Sequence, residues 1–286
     1  MSLVTLITIE ELKTLRSNWM DQGHRVAFVP TMGALHDGHL SLVEKAKSSG
    51  DRVIVSIFVN PAQFGPMEDF SKYPRTLESD IGLLKKLEVD AVFIPNTMDI
   101  YPRDFQTYVY NNELSDILCG ASRKGHFQGV LTVVLKLFNL VKPHVVLFGK
   151  KDYQQCRLIE RMISDLNLDV EMILSETVRE KNGLAMSSRN KYLTEEQKNC
   201  ASTIYRSLKA AKVKWDMGER STDKLIEAFM ETISSAHEIK VEYVEIRSRK
   251  GLSLFENIIN EDCVILTAAR LEQIRLIDNL ELEQKK

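Results

Sequence analysis

The sequence predicts an α/β protein: a doubly wound parallel sheet followed by a smaller α+β domain. Three observations carry this expectation. Apolar runs such as Arg25–Val29, Arg52–Asn60 and His144–Gly149 are continuous rather than alternating, as in strands covered on both faces. Segments of helical periodicity separate them, and strands joined through helices run parallel. Beyond Thr177 the alternation stops, and two helical segments are followed by three strand-like runs.

Each element has a local cause. Thr8-Ile9-Glu10-Glu11 forms a capping box that opens a helix ending near Gly23. Arg25–Val29 is a buried strand, Leu40–Lys47 a helix, and Arg52–Asn60 a second strand rich in β-branched residues. Together they make one strand–helix–strand crossover. Thr76–Leu87 is amphipathic and leads into a third strand, Asp90–Pro95, and Thr107–Asn111 is expected as a short strand. Val130–Val141 is an apolar helix. It precedes the strand at His144–Gly149, the helix Asp152–Leu166 and the strand Val170–Ser175. Right-handed crossovers make this a Rossmann-like domain, with ligands beyond the carboxyl ends of the strands. Thr194-Glu195-Glu196-Gln197 is a second capping box, opening a helix to about Trp215, and Thr222–Ala236 is another helix. Val241–Ser248, Cys263–Ala269 and Arg275–Asn279 are expected as an antiparallel sheet, with a frayed tail from Glu281. The domains are therefore placed at residues 1–177 and 178–286.

Composition narrows the function. A net charge of −2 and no basic–aromatic cluster argue against a nucleic-acid partner. The four cysteines are far apart and form no C-x-x-C pair, which suits free thiols in a reducing cytoplasm. The N-terminus lacks a basic region before its apolar residues, so no signal peptide is expected. The longest apolar run, Gly129–Val141, is broken by Lys136 and Asn139 and is too short for a membrane span.

The chemistry gathers where strands turn into helices. Pro30-Thr31-Met32-Gly33-Ala34-Leu35-His36-Asp37-Gly38-His39 joins the first buried strand to its helix. A helix N-terminus presents amide donors and partial positive charge, a ready phosphate site, and imidazoles there can donate to a phosphate gaining charge. A metal-binding histidine pair or a purely structural turn are the alternatives. Gly149-Lys150-Lys151-Asp152 places lysine at another such junction, where it can meet phosphate as a point charge, although taken alone a solvated turn capped by Asp152 is the favoured reading. Met186-Ser187-Ser188-Arg189 offers two hydroxyls and a guanidinium fork, or is a polar surface loop. Asn60 and Gln63 bring neutral amides to the end of the second strand, suited to hydroxyls and carboxylates. Arg123 could pair with an anion or stand exposed. Glu78 and Asp80 read as first-turn helix residues more readily than as metal contacts. No G-x-x-x-x-G-K-[S/T] loop, G-x-G-x-x-G after the first strand, or G-x-S-x-G elbow is present. These residues alone reach ATP-dependent transfer at phosphorus or acyl activation.

In this order, the motifs resemble the pantothenate synthetase (pantoate–β-alanine ligase) family. They are the Pro30–His39 segment, Phe58-Val59-Asn60-Pro61-Ala62-Gln63-Phe64, Tyr73-Pro74-Arg75-Thr76, Gly125–Val133, Lys151-Asp152-Tyr153-Gln154-Gln155 and Gly183–Asn190. Asn182 and Lys150 depart from the family pattern, which often has acidic residues there. The resemblance implies a nucleotidylyl-transferase type of Rossmann-like domain with a C-terminal lid. It implies condensation of pantoate with β-alanine through a pantoyl adenylate, using ATP and Mg²⁺ and releasing AMP and pyrophosphate, by a homodimer. It places Met32, Gly33, Ala34, Leu35, His36, Asp37, Gly38 and His39 at ATP, with His39 as proton donor. Gly149, Lys150, Lys151, Asp152, Val178, Met186, Ser187, Ser188 and Arg189 also contact ATP in this reading. Gln63 and Gln155 hold pantoate, and Gln63 also meets β-alanine, with Asn60, Tyr73 and Arg123 beside them. His36, His39, Lys151, Ser187, Ser188 and Arg189 are the groups expected to stabilise charge in the reaction. The metal ligands stay open.

Overall fold

The computed structural model describes residues 3–66 and 68–284. These fall into two compact units, one within Met1–Lys150 and Gln154–Glu176, the other within Lys151–Tyr153 and Thr177–Lys286.

The first unit is a six-stranded, wholly parallel sheet. Its strands are β1 (Val4–Leu6), β2 (Val26–Thr31), β3 (Arg52–Ile57), β4 (Ala91–Phe93), β5 (Val145–Gly149) and β6 (Glu171–Ser175), in the order β1-β4-β3-β2-β5-β6. The helices are α1 (Ile9–Asp21), α2 (Asp37–Lys47), α3 (Leu77–Lys86), the short α4 (Thr97–Ile100) and α5 (Cys119–Ser122), α6 (His126–Val141) and α7 (Tyr153–Asp165). The Thr8 box is formed in full: its side chain accepts from the Glu11 N–H, and the Glu11 carboxylate accepts from the Thr8 N–H. Successive strand residues face opposite sides of the sheet. Ala27, Val29, Val53, Val55, Val92, Val145 and Leu147 join Leu42, Val43 and Ala46 of α2 in one core layer. Phe28, Ile54, Phe93 and Val146 of the opposite parity are also fully buried, so both faces of the sheet are covered.

The second unit holds α8 (Glu195–Ala201), α9 (Thr203–Asp216) and α10 (Thr222–Ile233). Its antiparallel sheet is built from β7 (Ile239–Ser248), β8 (Cys263–Leu271) and β9 (Ile274–Leu282). Trp215, Leu208, Phe229 and Leu225 of the helices pack with Ile246, Ile265 and Leu276 of the strands.

Three expectations need correction, and one strand goes beyond them. Residues 107–111 form no strand, because their backbone amides turn to side chains: Val109 N–H donates to Thr132 Oγ1, and Asn111 N–H donates to Ser115 Oγ. The helix expected from Thr194 to Trp215 is two helices, divided at Ser202, whose hydroxyl donates to the Asn199 carbonyl in local competition with the helix ladder. Glu281 does not fray: it lies in β9 and pairs with Arg249 at 2.9 Å. The rest of that expectation, at residues 285–286, lies outside the described residues, as do residues 1–2 of the N-terminal reading. Finally, β1 was not foreseen. Three residues, two of them exposed, give too short a pattern to read.

Candidate functional site

Strand order selects the place in the first unit. From β2 the chain steps to β3 and β4 on one side, then returns to add β5 and β6 on the other. The order reverses between β2 and β5, and the crevice beyond the carboxyl ends at such a switch point is where open α/β sheets bind ligands. The histidine turn leaves β2 here, and Gly149-Lys150 leaves β5.

The turn is tightly built. Gly33 and Ala34 both take left-handed backbone, at φ 77° and 51°. That conformation costs a non-glycine residue free energy and persists only where its surroundings impose it. Here the imposing group is Asp80. Its Oδ2 accepts the Ala34 N–H at 2.9 Å and its Oδ1 the Leu35 N–H at 2.9 Å, while the Thr76 hydroxyl donates to Oδ1 at 3.1 Å. Asp80 lies on α3 and is only 1% exposed, so the carboxylate is used wholly inside the protein. A Cβ on Gly33 would stand 3.0 Å from Asp80 Oδ2, which is why glycine occupies that place. His36 then caps α2, and His39 sits one turn in, with its N–H donating to the His36 carbonyl at 2.7 Å. The two imidazole centroids are 4.1 Å apart. The outcome is paired imidazoles at the positive end of an eleven-residue helix.

The loop after β3 carries the amides. Asn60 is 1% exposed and caps a 3₁₀ turn, Pro61–Gln63. Its Nδ2 donates to Gln63 Oε1 at 3.0 Å and to the Gly129 carbonyl at 3.1 Å. Gln63 Nε2 approaches Met32 Sδ at 3.1 Å, which turns the glutamine toward the histidine segment. Helix α6 reaches this loop only because residue 129 is glycine: a Cβ would lie 2.2 Å from the Ala62 carbonyl oxygen. Arg123 forms a two-pronged pair with Glu68, at 2.7 and 2.6 Å, and lies 2.8 Å from His126 Nε2. Burial pushes the Glu68 carboxyl up, but Arg123 outweighs it and leaves its pKa lowered. Tyr73 is buried against Phe64, ring centroids 5.8 Å apart. Gln155 lies on α7, half-buried. Its neighbour Gln154 is 4% exposed and bonds the Cys119 N–H and the carbonyls of Leu114 and Ile117, so it braces the 114–119 loop. Lys150 pairs with Glu176 at 2.6 Å.

The second unit presents the serine–arginine segment on a hairpin. Met186 N–H donates to the Val178 carbonyl at 2.9 Å, Arg179 bridges Ala185, and Gly183 turns the chain at φ 96°. Ser187 caps the 3₁₀ turn Ser188–Tyr192 by accepting the Arg189 N–H at 3.3 Å, and Ser188 is buried. Arg179 anchors the base: it holds Asp278 through both oxygens, at 2.6 and 2.9 Å, and its guanidinium lies 3.6 Å above the Tyr205 ring. Lys151 and Asp152 belong to this unit, with Lys151 Nζ 3.9 Å from Asp152 and the Lys151 carbonyl accepting from Asn279.

Sequence reasoning missed Asp80, Arg179 and Asp278 as organisers of these segments. The signal was faint: Asp80 stands where any first-turn acid stands. Among the described residues no group of three or more His, Cys, Asp or Glu could hold a metal ion, and no helix is long and apolar enough to cross a membrane.

Comparison with known proteins adds the identity. The sequence matches the family described as Pantoate-beta-alanine ligase over residues 4–281. It is 50% identical over 272 residues to the pantothenate synthetase of Thermotoga petrophila, covering 95% of this chain and 97% of that one. The crystal structure of pantothenate synthetase from Thermus thermophilus superposes with a TM-score of 0.92 at 41% identity, covering 99% and 100% of the two chains. A pantoate-beta-alanine ligase from Francisella tularensis, solved with beta-gamma ATP and beta-alanine, gives 0.83 at 38% identity, with 99% of each chain covered. The chain belongs to the pantoate-beta-alanine ligase family.

Proposed function

We infer that this protein condenses pantoate with β-alanine at the expense of ATP. The observation that carries the reading is the paired-imidazole turn at the sheet's switch point, in a chain of this family. A carboxylate attacks ATP poorly because both are anionic. In the first step a pantoate carboxylate oxygen attacks the α-phosphorus in line, the bond to the bridging oxygen breaks, and pyrophosphate leaves. Negative charge then builds on the α-phosphate oxygens and the leaving group. His36 and His39 face that charge from the helix terminus. By the family resemblance, Lys151, Ser187, Ser188 and Arg189 are assigned as further donors, and Met32–His39, Gly149–Asp152, Val178 and Met186 as nucleotide contacts. In the second step the free amine of β-alanine attacks the acyl carbon, AMP leaves with the oxygen that came from pantoate, and the amine loses a proton. No enzyme nucleophile is required.

Gln63 and Gln155 are assigned to pantoate, and Gln63 also to β-alanine. Arg123 and Tyr73, engaged with Glu68 and Phe64, shape the loop around Gln63. The described residues do not build a metal cage, so Mg²⁺ is assigned to the nucleotide's phosphates, whose charge it would neutralise. A homodimer and a cytoplasmic location complete the reading, on family membership alone. The test is ATP turnover with and without each co-substrate, following pyrophosphate, AMP and the amide. All three products are expected only when pantoate and β-alanine are both present. Transfer of AMP without β-alanine consumption would instead identify a plain adenylyltransferase, and binding without turnover a nucleotide sensor.

A further inference from the structure

The Asn60 amide has no hydrogen-bonding capacity left. Its Nδ2 carries two protons, and both are donated, to Gln63 Oε1 and the Gly129 carbonyl. Its Oδ1 accepts two bonds, from the Ala62 N–H at 3.2 Å and the Tyr101 hydroxyl at 2.9 Å. The assignment of oxygen and nitrogen follows from the partners: an N–H can only donate and a carbonyl can only accept, so Ala62 must face Oδ1 and Gly129 must face Nδ2. Next to Nδ2, Gln63 can offer only its oxygen, so its two Nε2 protons point elsewhere, toward Met32 and the histidine turn. The ligand-facing end of Gln63 is therefore a donor, matched to a hydroxyl or carboxylate oxygen.

Three of the four Asn60 bonds come from its own loop or from α6. The fourth reaches across from residue 101. Tyr101 is held in an aromatic group, its ring 6.5 Å from Phe58 and 5.1 Å from Phe105. Burial pushes its phenol upward in pKa, so the proton stays on the oxygen across the working range. We propose that Tyr101 is a positioning residue for the acid substrate: its hydroxyl clamps Asn60, and Asn60 in turn holds Gln63 with its donor end presented. The proposal rests on the assignment of Gln63 to pantoate.

Tyr101→Phe removes the hydroxyl and keeps the ring. Expected is a rise of about tenfold in KM for pantoate, with KM for ATP changed by less than about twofold. Thermal midpoint should fall by only a few degrees, because the aromatic packing survives and Asn60 Oδ1 keeps the Ala62 N–H. A second readout needs no turnover: the side-chain ¹⁵N amide pair of Gln63, identified by its loss in Gln63→Glu, should shift or broaden in Tyr101→Phe as the amide begins to flip. An unmoved Gln63 amide signal would overturn the proposal, and so would equal rises in KM for ATP and pantoate, which mark a general loss of structure. If the parental protein itself fails to use pantoate, the functional reading falls, and the amide signal alone decides the clamp.

Discussion

Each unit fixes a candidate site segment with a buried carboxylate, but with different partners. In the first unit Asp80 accepts backbone N–H groups of the histidine turn itself, so it sets chain positions two and one residues before His36. In the second unit Asp278 holds Arg179, a long side chain at the base of the hairpin, eight residues or more from Ser187. The first arrangement fixes the geometry of the histidine turn; the second fixes where a hairpin starts. Loss of Asp80 should therefore register in chemistry, and loss of the Arg179–Asp278 pair in stability.

The largest effect belongs to the second unit. Arg179→Ala leaves a nearly buried carboxylate, its side chain 4% exposed, without its guanidinium. Burial already pushes that carboxyl up in pKa against the pull of Arg179. Breaking such a pair costs about 3–5 kcal/mol, which denaturant unfolding would measure. Next is His39→Ala, which should unfold like the parent yet lose about 10²- to 10³-fold in kcat, as for removal of one well-placed donor to a developing anion; near-parental turnover would remove His39 from its role. Asp80→Asn follows. An amide can accept one of the two backbone N–H groups but turns an NH₂ toward the other, an unmade bond of about 1–3 kcal/mol. kcat should fall about tenfold to a hundredfold, with the loss in stability smaller than for Arg179→Ala. A purely structural Asp80 would reverse that ranking.

The smallest effect concerns pH. Glu242 is half-buried between Arg275 and Arg270, at 2.7 and 2.6 Å. Burial pushes its carboxyl up, the two guanidinium groups outweigh it, and its pKa ends below the ordinary 4.5. A lowered folded-state pKa contributes stability above the unfolded value that is lost as pH falls through the folded one. Glu242→Gln should thus lower stability near neutrality by on the order of 0.5–1 kcal/mol, with the difference from the parent shrinking below about pH 4.5. A pH-independent difference would mean lost packing instead.

The two carboxylates also differ from the helix starts and strands in how far apart in sequence their partners lie. Continuous apolar strands such as Arg52–Ile57 announce a sheet covered on both faces, and Thr8 and Thr194 announce helix starts, because those patterns are local. The histidine turn was legible for the same reason. Asp80 was not: its partners are 45 and 46 residues away in sequence, and only the sheet's topology brings α3 under the turn. Arg179 and Asp278, 99 residues apart, meet by the same kind of long-range pairing. Residues 107–111 misled for the opposite reason: alternating aromatic and β-branched residues look like a strand, yet their amides had side-chain partners.

The central claim is that pantoate's carboxylate attacks the α-phosphorus of ATP at the paired-imidazole turn. Pantoate labelled with ¹⁸O in its carboxylate tests it directly, by mass spectrometry of the products after complete turnover. AMP carrying one labelled oxygen is expected, together with unlabelled pyrophosphate. Unlabelled AMP, or label in the pyrophosphate, would contradict it.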